Sequence, residues 1–112
     1  MAKHEFGIIE DFDPAKDYDR EYVPEQYGCI SIEDDLAQEA FMSKLSQMPT
    51  FFHTGRRPAK GFAYYGITLI PPSSLEQFKL AVDLERNPAF AQLSQMLGDA
   101  VRRKKYIIHY GI

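Results

Sequence analysis

The chain has 112 residues, of which 45% are hydrophobic and 26% charged, and its net charge is −3. This length and composition are typical of one globular domain, spanning residues 1–112. The single cysteine, Cys29, excludes an internal disulfide and a cysteine-based metal cluster. Because no segment reaches about 18 apolar residues and no signal-like apolar run opens the chain, we expect a cytoplasmic protein without a membrane span.

The charge is distributed unevenly along the chain. Residues 1–40 contain twelve acidic and three basic residues, whereas residues 41–112 contain four acidic and ten basic residues. We interpret residues 1–26 as a short strand at residues 6–9 followed by an acidic arm, which its tyrosines pin to the body. Alternatively, the arm could present its aspartates to a basic partner. These aspartates are Asp11, Asp13, Asp17 and Asp19.

Residues 27–112 have the periodicity of alternating strands and helices. Polar and apolar residues alternate over residues 27–32, which predicts a strand. Apolar residues at helical spacing then predict a helix that Pro49 ends. Two aromatic runs, residues 50–53 and 62–70, predict the arms of a hairpin with a basic loop between them.

After the hairpin the sequence predicts a helix, then a second helix or a kinked continuation of the first, and a last strand. Ser73 and Glu76 have the spacing of a capping box, and Asn87 before Pro88 is typical of a helix N-terminus. Residues 104–109 predict a strand. The order β-α-β-β-α-β, preceded by a short strand and the acidic arm, favours an α+β fold of the ferredoxin-like type, in which an antiparallel sheet carries helices on one face.

The predicted hairpin concentrates the side chains best suited to binding. Cations can bind carboxylate or phosphate groups, and aromatic rings can stack on planar ligands. The predicted ligand-binding residues are His53, Arg56, Arg57, Lys60, Phe62, Tyr64 and Tyr65. We expect a small anionic or aromatic ligand there. A protein partner is the alternative occupant, and a homodimer would cover the open face of the sheet.

Residues 60–67, KGFAYYGI, resemble the octapeptide signature of RNA-recognition-motif domains. The match includes Lys60, Gly61, Phe62 and Ala63, and it extends to Tyr64 if any aromatic residue is accepted there. The resemblance implies that single-stranded RNA would stack on Phe62 and Tyr64. The chain departs from the signature at two positions, since Tyr65 replaces a small aliphatic residue and Ile67 replaces an aromatic one. RNA binding is therefore kept as an alternative function.

The sequence contains no recognisable catalytic motif. The histidines, His4, His53 and His109, lack the spacing of metal ligands, so we interpret them as unrelated imidazoles and expect neither a metal nor a cofactor. We interpret Cys29 as a small core residue. The favoured function is a small, non-catalytic binding or regulatory protein. A small enzyme whose active site forms at a subunit interface is the remaining alternative.

Overall fold

The computed structural model describes residues 2–112, which form an α+β fold with a six-stranded antiparallel sheet and three α-helices. The strands are β1 (Lys3–Ile9), β2 (Ile30–Glu33), β3 (Pro49–Phe52), β4 (Pro58–Lys60), β5 (Ile67–Ile70) and β6 (Tyr106–Tyr110). The helices are α1 (Asp34–Ala37), α2 (Pro72–Leu84) and α3 (Ala91–Arg103). Within the described residues, no helix is both long and apolar enough to cross a membrane.

The helix α1 continues directly into two further turns. A π-helical turn spans Gln38–Met42 and a 3₁₀ turn spans Ser43–Leu45, and the residues at both junctions keep right-handed helical dihedral angles. We call residues 34–45 the first helix. Its buried residues, among them Phe41 and Leu45, confirm the apolar stripe that the sequence predicts between β2 and Pro49.

The strands lie in the order β2-β1-β6-β5-β3-β4, and all neighbours are antiparallel. The ferredoxin-like order is not confirmed. A split β-α-β unit keeps its two strands parallel with a third strand between them, whereas β5 and β6 are adjacent and antiparallel. The reason is that two helices connect them: α2 leads the chain away from the end of β5, and α3 leads it back, so β6 starts beside Ile70.

The sheet has two covered faces. On one face, Phe6 and Ile107 belong to a core cluster that includes residues of all three helices. On the other face, Leu69 and Ile108 form a second cluster with Tyr18, which is only 4% exposed and comes from the acidic segment between β1 and β2. Residues 10–29 therefore lie over this face, and they contain two 3₁₀ turns, Tyr18–Arg20 and Pro24–Tyr27.

The predicted hairpin after β3 is confirmed only in part, since β3 pairs antiparallel with β5, the end of the predicted second arm. The partner of β3 on its outer side is β4, which lies inside the predicted loop, and residues 62–66, predicted as strand, connect β4 to β5. Gly61 and Gly66 have φ angles of 67° and 92°, so the backbone leaves the extended conformation at both ends of this connection. The Ala63 amide donates to Thr68 Oγ1 at 2.8 Å. We call residues 61–66 the crossover.

One predicted helix start is confirmed and one is wrong. The side chain of Asn87 caps a 3₁₀ turn, Pro88–Phe90, that leads into α3, because its Oδ1 accepts a hydrogen bond from the Ala89 amide at 2.9 Å. The capping box at Ser73 and Glu76 does not form, since α2 already begins at Pro72. Proline at the first turn needs no partner for its nitrogen, which lets the helix start there.

The contact between β1 and the covering segment can be tested at Gly7. A Cβ atom there would lie 2.7 Å from both Cys29 Sγ and the carbonyl oxygen of Tyr27. We expect Gly7→Ala to lower the free energy of unfolding by about 1–3 kcal/mol in urea titrations, because the segment has to move away from the strand. The control is Gly98→Ala in α3, where a Cβ would meet only the flexible Lys79 and Arg102 side chains. It should stabilise by up to about 1 kcal/mol, and equal effects of both variants would contradict the close packing.

Candidate functional site

Two histidines meet in the core on the helix-covered face of the sheet. His4 on β1 and His109 on β6 are both 0% exposed, and His4 Nδ1 lies 2.9 Å from His109 Nε2. The interpretation of unrelated imidazoles is wrong for this pair. The alternation of side chains along the strands could have indicated that both histidines face the core. His4 shares a face with Phe6, and His109 shares the same face with Ile107.

Hydrogen bonds extend from the histidine pair in both directions. His4 Nε2 lies 2.6 Å from Asp34 Oδ1, and Tyr64 Oη donates to Asp34 Oδ2 at 2.8 Å. At the other end, His109 Nδ1 lies 3.1 Å from the hydroxyl of Thr68. We call the series Tyr64–Asp34–His4–His109–Thr68 the polar chain. It joins the crossover, the first helix, β1, β6 and β5.

The positions of the protons in the polar chain follow from its one carboxylate. The ionised Asp34 can only accept, so His4 must donate from Nε2. A neutral His4 then accepts at Nδ1 from His109 Nε2, and His109 accepts at Nδ1 from the Thr68 hydroxyl. The hydroxyl oxygen in turn accepts the Ala63 amide. Within residues 2–112 every buried side-chain nitrogen and oxygen has a hydrogen-bond partner.

The environment of the polar chain favours an ionised Asp34 and a neutral His109. Hydrogen bonds from His4 and then Tyr64 lower the pKa of the Asp34 carboxyl below its usual value. The hydrogen bond to Asp34 raises the pKa of the Tyr64 phenol. Burial, together with the neighbouring His4, places the pKa of His109 well below its usual value of 6.5. The negative charge therefore lies on Asp34, near the surface end of the polar chain.

A groove begins where the polar chain reaches the surface. It lies between the first helix and the crossover, and its volume is 350 Å³. Residues of the π-helical turn form one wall, and such turns occur frequently at functional sites. The lining includes Gln38, Met42, Ser43, Lys60, Phe62 and Tyr64. Tyr64 thus belongs both to the groove and to the polar chain.

Three of the predicted binding residues lie together in this groove: Lys60, Phe62 and Tyr64. Tyr65 is adjacent, with its ring edge-on to Tyr64 at a centroid distance of 4.9 Å. Phe62 also packs 5.2 Å from the core ring of Phe78, so its ring is largely engaged by the protein itself. A stacked RNA base would have to displace that packing.

The other three predicted residues lie at the opposite end of β3 and β4. Phe51 pairs with Pro58 and Pro49 pairs with Lys60, which places residues 53–57 far from Lys60 along the strands. Arg56 and Arg57 are exposed there. His53 instead faces the acidic segment, since its Nδ1 lies 3.5 Å from Asp19 Oδ2. The predicted basic and aromatic surface is therefore divided into two separate places.

A second hollow, of 310 Å³, lies within the segment that covers the other face. Its walls are Asp17, Tyr18, Arg20 and their neighbours between residues 15 and 27. It has no member of the polar chain, and its exposed charges are of both signs. The groove beside Tyr64 is therefore the better candidate, because a buried polar network converges on it.

Comparison of the chain with protein-family models, with curated proteins and with solved structures found no match. Within residues 2–112, no group of three or more histidine, cysteine, aspartate or glutamate side chains is arranged to hold a metal ion. The function has to be inferred from the groove and the polar chain.

The buried His109 makes the stability of the fold depend on pH. The unfolded chain binds a proton at this imidazole near pH 6.5, whereas the lowered pKa prevents the folded chain from doing so. We expect the free energy of unfolding to be highest above pH 6.5 and to fall below it, by at most about 1.4 kcal/mol per pH unit for this group. Urea titrations between pH 7.5 and pH 5 measure the slope.

Two variants identify the group that causes this slope of stability against pH. His109→Gln keeps a polar side chain but cannot titrate, so its stability should depend less on pH below 6.5. His53→Gln changes the half-buried histidine outside the polar chain and is the matched control for the loss of one imidazole. A wild-type slope in His109→Gln would show that another group causes the acid sensitivity.

Proposed function

We propose that this protein is a small, non-catalytic binding protein that takes a planar, anionic molecule into the groove between the first helix and the crossover. One observation carries the proposal: Lys60 and Tyr64 line the same 350 Å³ groove. This volume lies at the lower end of the range for small-molecule sites. The proposal retains the kind of ligand and the cytoplasmic setting expected from the sequence, but it moves the site away from Arg56 and Arg57.

The charges of the groove favour an anion at the Lys60 end. The ammonium group of Lys60 lies 3.5 Å from the amide oxygen of Gln47, and within residues 2–112 it forms no ion pair. It is therefore available to a carboxylate or phosphate. The Asp34 carboxylate near the other end is held by His4 and Tyr64. These two donors reduce the repulsion that it would exert on an anion.

The remaining walls favour a flat, apolar body for the ligand. Tyr64 is 40% exposed, and its hydroxyl is fixed by Asp34, so its ring is held at the mouth of the groove. Met42 and Phe62 contribute apolar surface on the inside. A single aromatic ring that bears one acidic group matches these features in size and in charge.

The burial of the histidines favours binding over catalysis. His4 and His109 are completely inaccessible, so neither can reach a molecule in the groove. Asp34 is 9% exposed, and both of its oxygens already accept hydrogen bonds. A general acid or base has to lie within hydrogen-bond reach of the proton that it transfers.

The proposal is tested by titrating ¹⁵N-labelled protein with benzoate and phenyl phosphate, with benzamide as the uncharged control. We expect the amide signals of residues 38–46 and 60–64 to shift with dissociation constants around the millimolar range. Lys60→Gln should weaken benzoate binding about fivefold, as expected for one partly exposed charge. It should leave benzamide unchanged.

The matched control is Arg56→Gln, which removes the same charge at the far end of the β3–β4 hairpin. It should bind benzoate like the wild type. If Arg56→Gln weakened binding and the signals of residues 53–57 shifted instead, the site would lie at the hairpin tip. Without any shift from either acid, the proposed ligand class would be refuted.

A further inference from the structure

The direction of the hydrogen bonds in the polar chain depends on a single proton. In the neutral state each donor points towards Asp34, from Thr68 through His109 to His4. If the histidine pair takes up one proton from solvent, His4 becomes an imidazolium that donates from both nitrogens. His109 must then accept at Nε2, so its own proton has to reside on Nδ1, facing Thr68. Only N–H and O–H bonds change in this step.

The surroundings favour one added proton on the pair and oppose a second. The imidazolium of His4 would lie 2.6 Å from the Asp34 carboxylate, which compensates its charge. His109 is surrounded by Phe6, Phe62 and Thr68 and has no carboxylate in contact. Two adjacent imidazolium groups without solvent would repel each other strongly.

The ionisable groups near the histidine pair come from the first helix, the crossover, β1, β2 and β6. Asp34 and Tyr64 are the two that join the chain, from the first helix and from the crossover. The next helical residue, Asp35, is exposed. The other nearby ionisable residues alternate onto the opposite face of the sheet, and they are Lys3 and Glu5 on β1, Glu33 on β2 and Tyr110 on β6. Asp34 is therefore the charge that decides the protonation of the pair.

The reversed state creates a conflict at Thr68. Its hydroxyl oxygen already accepts the Ala63 amide at 2.8 Å, and in the reversed state it must also accept His109 Nδ1–H. Both lone pairs are then used, and the hydroxyl proton has no acceptor among the observed partners, although Thr68 is 0% exposed. Release of the Ala63 amide from Thr68 relieves this conflict by admitting water, which accepts both the hydroxyl proton and the freed amide proton.

The crossover is constructed so that it can respond to this release. It begins at Gly61 and ends at Gly66, both with positive φ, and backbone hydrogen bonds hold these two ends: Gly61 N donates to Met48 O at 2.8 Å and Gly66 O accepts from Gly111 N at 2.7 Å. The response is therefore local to the residues between the two glycines. Ala63 and Tyr64 lie between these two glycines and carry its two links to the polar chain. The same two residues adjoin one wall of the groove.

We propose that the His4–His109 pair is a one-proton switch that keeps the Ala63 amide of the crossover bound to Thr68 at neutral pH and releases it on acidification. The switch operates without a ligand, so it is tested independently of the proposed binding function. The loss of the Ala63–Thr68 hydrogen bond is the event that couples protonation in the core to the groove.

The test follows the free protein by NMR between pH 8 and pH 5. Long-range ¹H–¹⁵N spectra identify which nitrogen of each imidazole carries a proton. We expect His109 to change from the Nε2–H to the Nδ1–H form as the pH falls. At the same midpoint, the Ala63 amide should exchange with solvent roughly tenfold faster, after correction for the pH dependence of exchange chemistry, as for loss of one hydrogen bond. The core amides of Leu69 and Ile107 should remain protected.

A matched pair of variants tests the role of Asp34. Asp34→Asn keeps the shape of the side chain but removes the charge, so the midpoint should fall by about one pH unit or more. Asp35→Asn removes the neighbouring exposed carboxylate and should leave the midpoint nearly unchanged. If Asp34→Asn does not fold, Tyr64→Phe replaces it. Loss of this donor leaves Asp34 more dependent on His4, so the midpoint should rise.

Three results would overturn the switch. His109 could keep its proton on Nε2 until the whole protein unfolds. Ala63 could lose protection only together with Leu69 and Ile107, which would indicate global unfolding. Finally, Asp34→Asn, or its substitute Tyr64→Phe, could titrate in the same way as the wild type.

Discussion

The antiparallel pairing of β1 with β6 places the two ends of the described chain side by side in the middle of the sheet. On the helix-covered face, this register brings His4 against His109, residues that are 105 positions apart in sequence. On the other face, it forms the surface on which Tyr18 and the acidic segment rest. A shift of one residue in this register would exchange the two faces of β1, so both layers depend on it.

A buried polar chain is costly unless every member is satisfied, and here each group has a partner. The hydrogen bonds contribute little net stability compared with apolar packing, since an apolar core of the same shape would often be as stable. What the hydrogen bonds add is a fixed orientation of the side chains. Tyr64, Asp34 and Thr68 come from three different elements: the Asp34 carboxylate can only accept and orients the Tyr64 hydroxyl, and the Ala63 amide can only donate and orients Thr68.

The crossover links this internal chemistry to the surface. Its Phe62 ring packs against the core, its Ala63 amide is bound by Thr68, and its Tyr64 hydroxyl is bound by Asp34. The segment is therefore positioned by three contacts of different kinds over three consecutive residues. A groove formed by such a segment has a defined shape, and that shape depends on contacts in the interior.

Part of the candidate site was predictable from the sequence. Lys60, Phe62 and Tyr64 are close along the chain, so a search for cations beside aromatic rings finds them without knowledge of the fold. The same search also grouped them with Arg56 and Arg57, because sequence proximity does not show that β4 runs between the two sets. Asp34 and the histidines were missed as members of a site because they meet only through strand pairing and helix placement.

The sequence by itself determined the α+β class, the first helix, the start at Asn87 of the turn that leads into α3, and the last strand. Local periodicity and capping chemistry fix such elements. Tertiary structure decided the strand order, because two helices between β5 and β6 return the chain to the same end of the sheet. It also decided that residues 62–66 form a crossover, although their aromatic composition favours a strand. The packing of Phe62 against the core and the bond from Ala63 to Thr68 outweigh that local preference, and both contacts exist only in the folded chain.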